Sequence, residues 1–241
     1  MRTIELFLIL ILVAESATAG WLRDDADVMG TRISVELFHS DPALAQQGID
    51  SVLGEMRRID ASMSPYLDSS ELARLNATAH QRPFRAGEEL YALIRRSLEF
   101  SDLTGGAFDI TFASVGFLYD FRNGIRPDRE QRAQAAALIN FRRLVLDPAG
   151  STVAFGSPGM RIDLGGIAKG HAVDRCIELL QALGIKQAMV TAGGDSRMIG
   201  DRWGRPWSIG VRDPRKADKL AAVIPLRDVA VSTSGDYQRY F

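Results

Sequence analysis

A mixed α/β or α+β domain is what this sequence of 241 residues predicts, and three observations carry that prediction. Short runs with apolar residues at every second position, as in GTRISVELF, alternate with longer runs of helical spacing, as in DPALAQQGIDSVLGEMRRIDASM. Apolar residues make up 46% of the chain, enough to bury a full core as one large domain or two small ones. No internal repeat, low-complexity tract or long Pro/Gly/Ser linker divides it. Acids and bases nearly cancel, 30 against 29, so no global field recruits nucleic acid or an anionic membrane. An anionic ligand must be held by a local site.

The first segment reads as separate from the fold. Arg2, an apolar run over residues 6–14 and the small residues Ala17 and Ala19 read as an export signal over residues 1–19, too short to span a bilayer comfortably. That expectation places residues 20–241 in the periplasm, possible inner-membrane association included. A single cysteine, Cys176, rules out an intramolecular disulfide, so packing must supply stability.

GTRISVELF then predicts a strand with Ile33, Val35 and Leu37 inward. Asp41 as N-cap and Pro42 in the first turn start a helix whose stripe runs from Leu44 to Met63. SPYLDSSELARLN reads as turn-rich. GEELYALIRRSLEFSDLTGG restores helical spacing through Leu90, Leu93, Ile94 and Leu98 and stops at Gly105 and Gly106. DREQRAQAAALIN predicts another helix, followed by strands RRLVLD, STVAF and GMRIDL, the first two joined at PAG. A helix over residues 167–183, striped by Val173, Cys176, Ile177, Leu180 and Leu183, leads to the strand KQAMVTA and completes a strand–helix–strand unit. Further strands are expected at PWSIGV, AAVIPL and VAVST.

The chemistry concentrates where that helix starts. In RIDLGGIAKGHAVDR an acid, Asp163, two bare glycines, Gly165 and Gly166, and a cation, Lys169, fall within seven residues. Glycines let backbone N–H groups approach a ligand, and a helix N-terminus favours an anion. The pattern is neither a P-loop nor a dinucleotide fingerprint. The plain alternative is a glycine-rich connection in which Asp163 caps the helix. Three other segments set glycine beside an acid: TGGAFDIT around Asp109, TAGGD with Gly193, Gly194 and Asp195, and STSGD with Thr233, Ser234, Gly235 and Asp236. His39, His80 and His171 lack the spacing of a zinc site, Cys176 reads as a buried small hydrophobe, and Trp203 and Trp207 as packing residues.

Taken in order, MGT from Met29, MSPYLDSSELARLN, TGGAFDIT, DLGGIAKGHAVD, AGGD and STSGDYQRYF resemble the ApbE-like FAD:protein FMN transferases, formerly labelled thiamine biosynthesis lipoproteins, over nearly the whole mature chain. The resemblance implies a two-lobed fold with a T-fold-like part and FAD between the lobes. It implies Mg2+-dependent transfer of FMN from FAD to a threonine or serine of an exported target, such as a quinone reductase or electron-transfer subunit, with release of AMP. Met29, Tyr66, Ala107, Phe108, Asp109, Asp163 and Lys169 would contact FAD, with Asp163 and Lys169 at the reaction, and the Gly166 carbonyl would face the metal. His171 replaces a common Tyr, which neutral packing explains.

The family pattern continues past SGDYQRYF into segments like HHIIDPRTG and DALATA, whose Asp and Thr ligate the metal, whereas this sequence stops at Phe241. The expectation is therefore a domain over residues 20–241 lacking its C-terminal portion. Two other readings stay open: a periplasmic FAD-binding or flavin-trafficking protein without transfer activity, and an FAD pyrophosphatase giving FMN and AMP.

Overall fold

The computed structural model describes residues 20–120, 123–213 and 215–234. The expected export signal over residues 1–19, and Gly235 and Asp236 of the last motif, lie outside the described residues. No helix among those described is long and apolar enough to cross a membrane.

Strands β1 (Gly20–Val28) and β2 (Thr31–His39) form a hairpin closed by Met29 and Gly30, both at positive φ (56° and 67°), the two-residue turn that matches strand twist. Helix α1 (Pro42–Met63) starts as expected, with the Asp41 carboxylate accepting from the Ala43 N–H at 2.8 Å. Helices α2 (Glu71–Thr78) and α3 (Glu88–Leu103) flank the short strand β3 (Phe84–Arg85). A 3-10 turn (Ile110–Phe112) leads into α4 (Ala113–Gly116) and α5 (Arg129–Ala136), the latter begun by an Asp128–Gln131 capping box. The hairpin of β4 (Leu144–Asp147) and β5 (Thr152–Phe155) precedes α6 (Ala168–Ala182). The strands β6 (Gln187–Ala192), β7 (Asp195–Ile199), β8 (Trp207–Asp213), β9 (Lys216–Leu226) and β10 (Val229–Ser232) complete the chain.

The sheets run β1-β2-β6-β7-β10, β3-β5-β4 and β8-β9. Every pairing among the described strands is antiparallel, so the mixed helix and sheet fold takes its α+β form. In the five-stranded sheet Ile33 pairs with Ala192, Val35 with Val190 and Leu37 with Ala188. These six residues are buried on the face covered by α1 and α6. Two of the three β6 partners are alanines, and Val173, Cys176, Ile177 and Leu180 of α6 are buried over this face. Gly48 lets α1 close in, since a Cβ there would stand 2.6 Å from Ile185 Cδ1. Each fully buried aliphatic side chain contributes about 1.5–3 kcal/mol.

Several expectations need correcting. The SPYLDSSELARLN segment contains α2, begun by Ser70, whose hydroxyl accepts from Ala73 N–H at 2.9 Å. GMRIDL is not a strand: Met160, Ile162 and Leu164 are buried in alternation, yet residues 160–164 join no ladder. The segment before β6 is therefore a helix preceded by extended chain, and no parallel crossover forms. Strand β1 was not expected, because Asp24, Asp25 and Asp27 mask its apolar alternation, and β7 was hidden in the glycine-rich motif that precedes it. Trp203 and Trp207 pack, as expected, edge-on around Trp21, with ring centroids 5.8 and 5.3 Å away.

Candidate active site

The site begins with the extended segment that delivers Asp163. Residues 160–164 lack strand neighbours, so side chains and loop carbonyls partner their backbone. The Ile162 N–H donates to Asn76 Oδ1 at 2.8 Å, and Asn76 Nδ2 donates to the Ile162 carbonyl at 2.9 Å. The Arg161 N–H donates to Ser114 Oγ at 3.1 Å, and the Asp163 N–H to the Ile110 carbonyl at 3.0 Å. With Ile162 and Leu164 turned into the core, the Asp163 carboxylate faces outward and accepts the Gly165 N–H.

A tight turn follows, in which the Ile167 and Ala168 N–H groups both donate to the Leu164 carbonyl. Lys169 Nζ folds back onto the Gly165 carbonyl at 2.7 Å. Between them Gly166 is exposed, and its backbone N–H and C=O meet no partner among the described residues. A Cβ on Gly166 would lie 3.1 Å from Phe108 Cε2, so only a glycine lets the ring sit this close without movement. The N-cap of α6 is Ile167, which supplies no capping oxygen. With the Ala168 N–H taken by Leu164, the Lys169 and Gly170 N–H groups of this fifteen-residue helix carry the partial positive charge of its start.

One end of the five-stranded sheet closes against this helix start. Gly193, at φ 62°, donates its N–H to the Arg32 carbonyl at 3.1 Å, which brings the β6–β7 turn beside the Met29–Gly30 turn. The Gly194 carbonyl accepts the Thr233 N–H at 2.9 Å, and Ser232 Oγ donates to Asp195 Oδ1 at 2.7 Å. A Cβ on Gly194 would stand 2.3 Å from the Thr233 carbonyl oxygen. A hollow of about 270 Å³ bordered by Lys186, Gly200 and Asp228 lies at the other end of β6 and β7.

Of the residues singled out from the sequence, Phe108, Asp163, Gly166 and Lys169 come together directly. Met29 packs on the core at the sheet end. Ala107 and Phe108 are tied to Thr104, the Ala107 N–H donating to its carbonyl and the Phe108 N–H to its hydroxyl. The Asp109 carboxylate points inward, accepting from Thr111 N–H, Thr111 Oγ1 and Phe141 N–H at 2.8, 2.6 and 3.0 Å, and so braces the Phe108 loop. Tyr66 is 79% exposed, with its ring 5.8 Å from that of Phe117, over which the Arg161 guanidinium lies at 4.8 Å. Asn76, Ser114, Phe117 and Arg161 carried no local signal of a site.

His171 makes a polar contact as well as packing. Its Nε2 lies 2.9 Å from Glu89 Oε1, and Arg58 holds the same carboxylate at 2.7 and 2.9 Å while also binding Glu55. Arg58 above all, against the opposing effect of burial and helped by His171, holds the Glu89 carboxyl down to about 2. Cys176 is buried as expected, and desolvation pushes its thiol up to about 12.

A helix start with unpaired N–H groups, a lysine and a bare peptide under an aromatic ring are features suited to a ring-bearing anion such as a nucleotide. More particularly, the chain belongs to the ApbE family, whose sequence profile matches residues 29–241. It is 32% identical to the FAD:protein FMN transferase of Treponema pallidum, over 89% of this chain and 64% of that protein. With the Vibrio cholerae FAD:protein FMN transferase it shares 30% identity, over 97% of this chain and 71% of the relative. Among solved structures, the ApbE protein of Thermotoga maritima superposes with a TM-score of 0.84 at 33% identity, over 92% of this chain and 72% of that one. The flavin transferase ApbE of Vibrio cholerae gives 0.80 at 27% identity, over 91% and 72%. The chain thus spans less than two thirds of the length of the Treponema relative.

Proposed function

We propose that this chain transfers the FMN half of FAD to a threonine or serine hydroxyl of a target protein and releases AMP. The observation that carries this reading is the bare Gly166 backbone under Phe108, beside Lys169 and the open first turn of α6, in a chain whose relatives are named FAD:protein FMN transferases. The FAD pyrophosphate would lie at the α6 N-terminus, with Lys169 moving from the Gly165 carbonyl to a phosphoryl oxygen. Phe108 and Tyr66 offer aromatic faces for the rings, Asp163 an acceptor for a ligand N–H or O–H, and Met29 and Ala107 apolar walls. Asp109 acts through the loop it braces. The expected export signal makes the target an exported protein met in the periplasm, such as a quinone reductase or electron-transfer subunit.

Magnesium enters this reading only through the Gly166 carbonyl. Among the described residues no group of three or more His, Cys, Asp or Glu side chains converges as a metal site, whereas Mg2+ takes near-octahedral oxygen ligands. These residues do not by themselves make its site. A second reading is an FAD-binding protein without transfer activity.

Intact mass spectrometry of a threonine-bearing peptide from a quinone reductase subunit, incubated with the full chain and FAD with and without Mg2+, tests these readings. FMN on the peptide supports the transferase. Free FMN and AMP indicate hydrolysis, and bound intact FAD with an unmodified peptide indicates the second reading. A chain that binds no FAD overturns all three.

A further inference from the structure

The carboxylate of Asp195 stands at the candidate site without a role in the ligand contacts assigned above. It opens β7 directly after the Gly193–Gly194 turn, and its cross-strand partner on β10 is Ser232. Ser232 Oγ donates to Asp195 Oδ1 at 2.7 Å, which fixes the plane of the carboxylate. The other oxygen, Oδ2, accepts from no donor among the described residues. It points over the first turn of α6, 4.0 Å from where a Cβ on Gly170 would be. Because residue 170 is glycine, no side chain separates this oxygen from the helix start.

The strand end is locked in place independently of any ligand. Thr233 donates its N–H and its hydroxyl to the Gly194 carbonyl at 2.9 and 3.2 Å, so β10 cannot withdraw Ser232 without breaking both. A carboxylate held by one oxygen through an orienting hydroxyl, with the other oxygen open over the helix start, is suited to activate a hydroxyl nucleophile. A carboxylate placed beside phosphates would repel them unless it served such a purpose.

We propose that Asp195 is the proton acceptor for the incoming hydroxyl and that Ser232 is its positioning residue; this rests on the transferase reading. The acceptor oxygen forms a bond to the FMN phosphorus, the bond from that phosphorus to the bridging oxygen breaks, and AMP leaves with that oxygen. The hydroxyl proton passes to Asp195 Oδ2, and no oxidant or reductant is involved.

The test uses the full chain, FAD bound as judged by flavin fluorescence, and single-turnover transfer to the threonine-bearing quinone reductase peptide. Asp195→Asn keeps the size of the side chain and the Ser232 contact but cannot take a proton. It is expected to bind FAD within about twofold of the parent, to transfer FMN at least about 100-fold more slowly, and to lose the acid limb of the pH–rate profile. Ser232→Ala is expected to slow transfer about tenfold while keeping that limb. Transfer by Asp195→Asn within threefold of the parent, with FAD bound, overturns the assignment and leaves the transferase reading standing. A parent that binds FAD but never modifies the peptide overturns both.

Discussion

Asn76 pairs through its side chain with both backbone groups of Ile162, 86 positions further along the chain, at 2.8 and 2.9 Å. One side-chain amide thus does for the extended segment what a neighbouring strand would do in a sheet. Ile162 is fully buried, so an unpaired N–H or C=O there would cost about 1–3 kcal/mol each. Asn76→Ala is expected to destabilise the fold by about 2–6 kcal/mol in urea unfolding and to speed amide exchange at Ile162 markedly. A variant that melts with the parent and keeps Ile162 protected would show that the segment needs no such support.

Gly194 is held to glycine by backbone rather than by side chains. A Cβ there would sit 2.3 Å from the Thr233 carbonyl oxygen, which cannot rotate away. Gly194→Ala must push β10 off the β6–β7 turn, at a cost of about 1–3 kcal/mol. Gly54, in the middle of α1 with nothing within 4 Å of its Cβ position, is the control. Gly54→Ala should stabilise by up to about 1 kcal/mol. Equal midpoints for the two variants would contradict the close approach.

Lys169 is expected to contribute to binding more than to stability. Its ammonium rests on the Gly165 carbonyl, a single contact on a half-buried side chain. Lys169→Met keeps the apolar stem and removes the charge, so the melting curve should move little. A charge-assisted hydrogen bond to a phosphoryl oxygen is worth about 1.5–3 kcal/mol, which corresponds to FAD binding weakened roughly 10- to 100-fold in a flavin fluorescence titration. An unchanged dissociation constant would remove Lys169 from the nucleotide site.

What could be read from the sequence was local. Asp41, Pro42 and the stripe of α1, and the Val173–Leu180 stripe of α6, announce themselves within one or two helical turns. So does the crowding of Asp163, Gly166 and Lys169, because one strand-like segment and one helix start bring them together. Residues 160–164 show the limit of periodicity: alternation reports which side is buried, and Met160, Ile162 and Leu164 are buried, but it does not report whether a ladder exists. Asn76 with Ile162, Glu89 with His171 and Asp195 with Ser232 join distant segments, and nothing in a single sequence records such pairings. Asp109 carried the resemblance to the family, yet its carboxylate serves the loop beneath the ring.

The charged cluster behind the α6 start should give the protein an acid limb of its own. Arg58 spans Glu55 and Glu89, and Glu89 also meets His171 of α6, so three helices meet at two carboxylates. Arg58 is the main reason that the Glu89 carboxyl falls from an ordinary 4.5 to about 2, and it also lowers that of Glu55. Since the folded value lies below the unfolded one, the unfolded chain binds the proton first as pH falls. The stabilisation is therefore complete above about pH 4.5 and is lost progressively between pH 4.5 and about 2. Salt trims the effect, because Arg58 is half exposed. Glu89→Gln should flatten stability across that window in chemical unfolding at stepped pH, and Arg58→Ala should flatten it further by releasing Glu55 as well. An acid limb in Glu89→Gln as steep as the parent's would place its origin in other carboxylates.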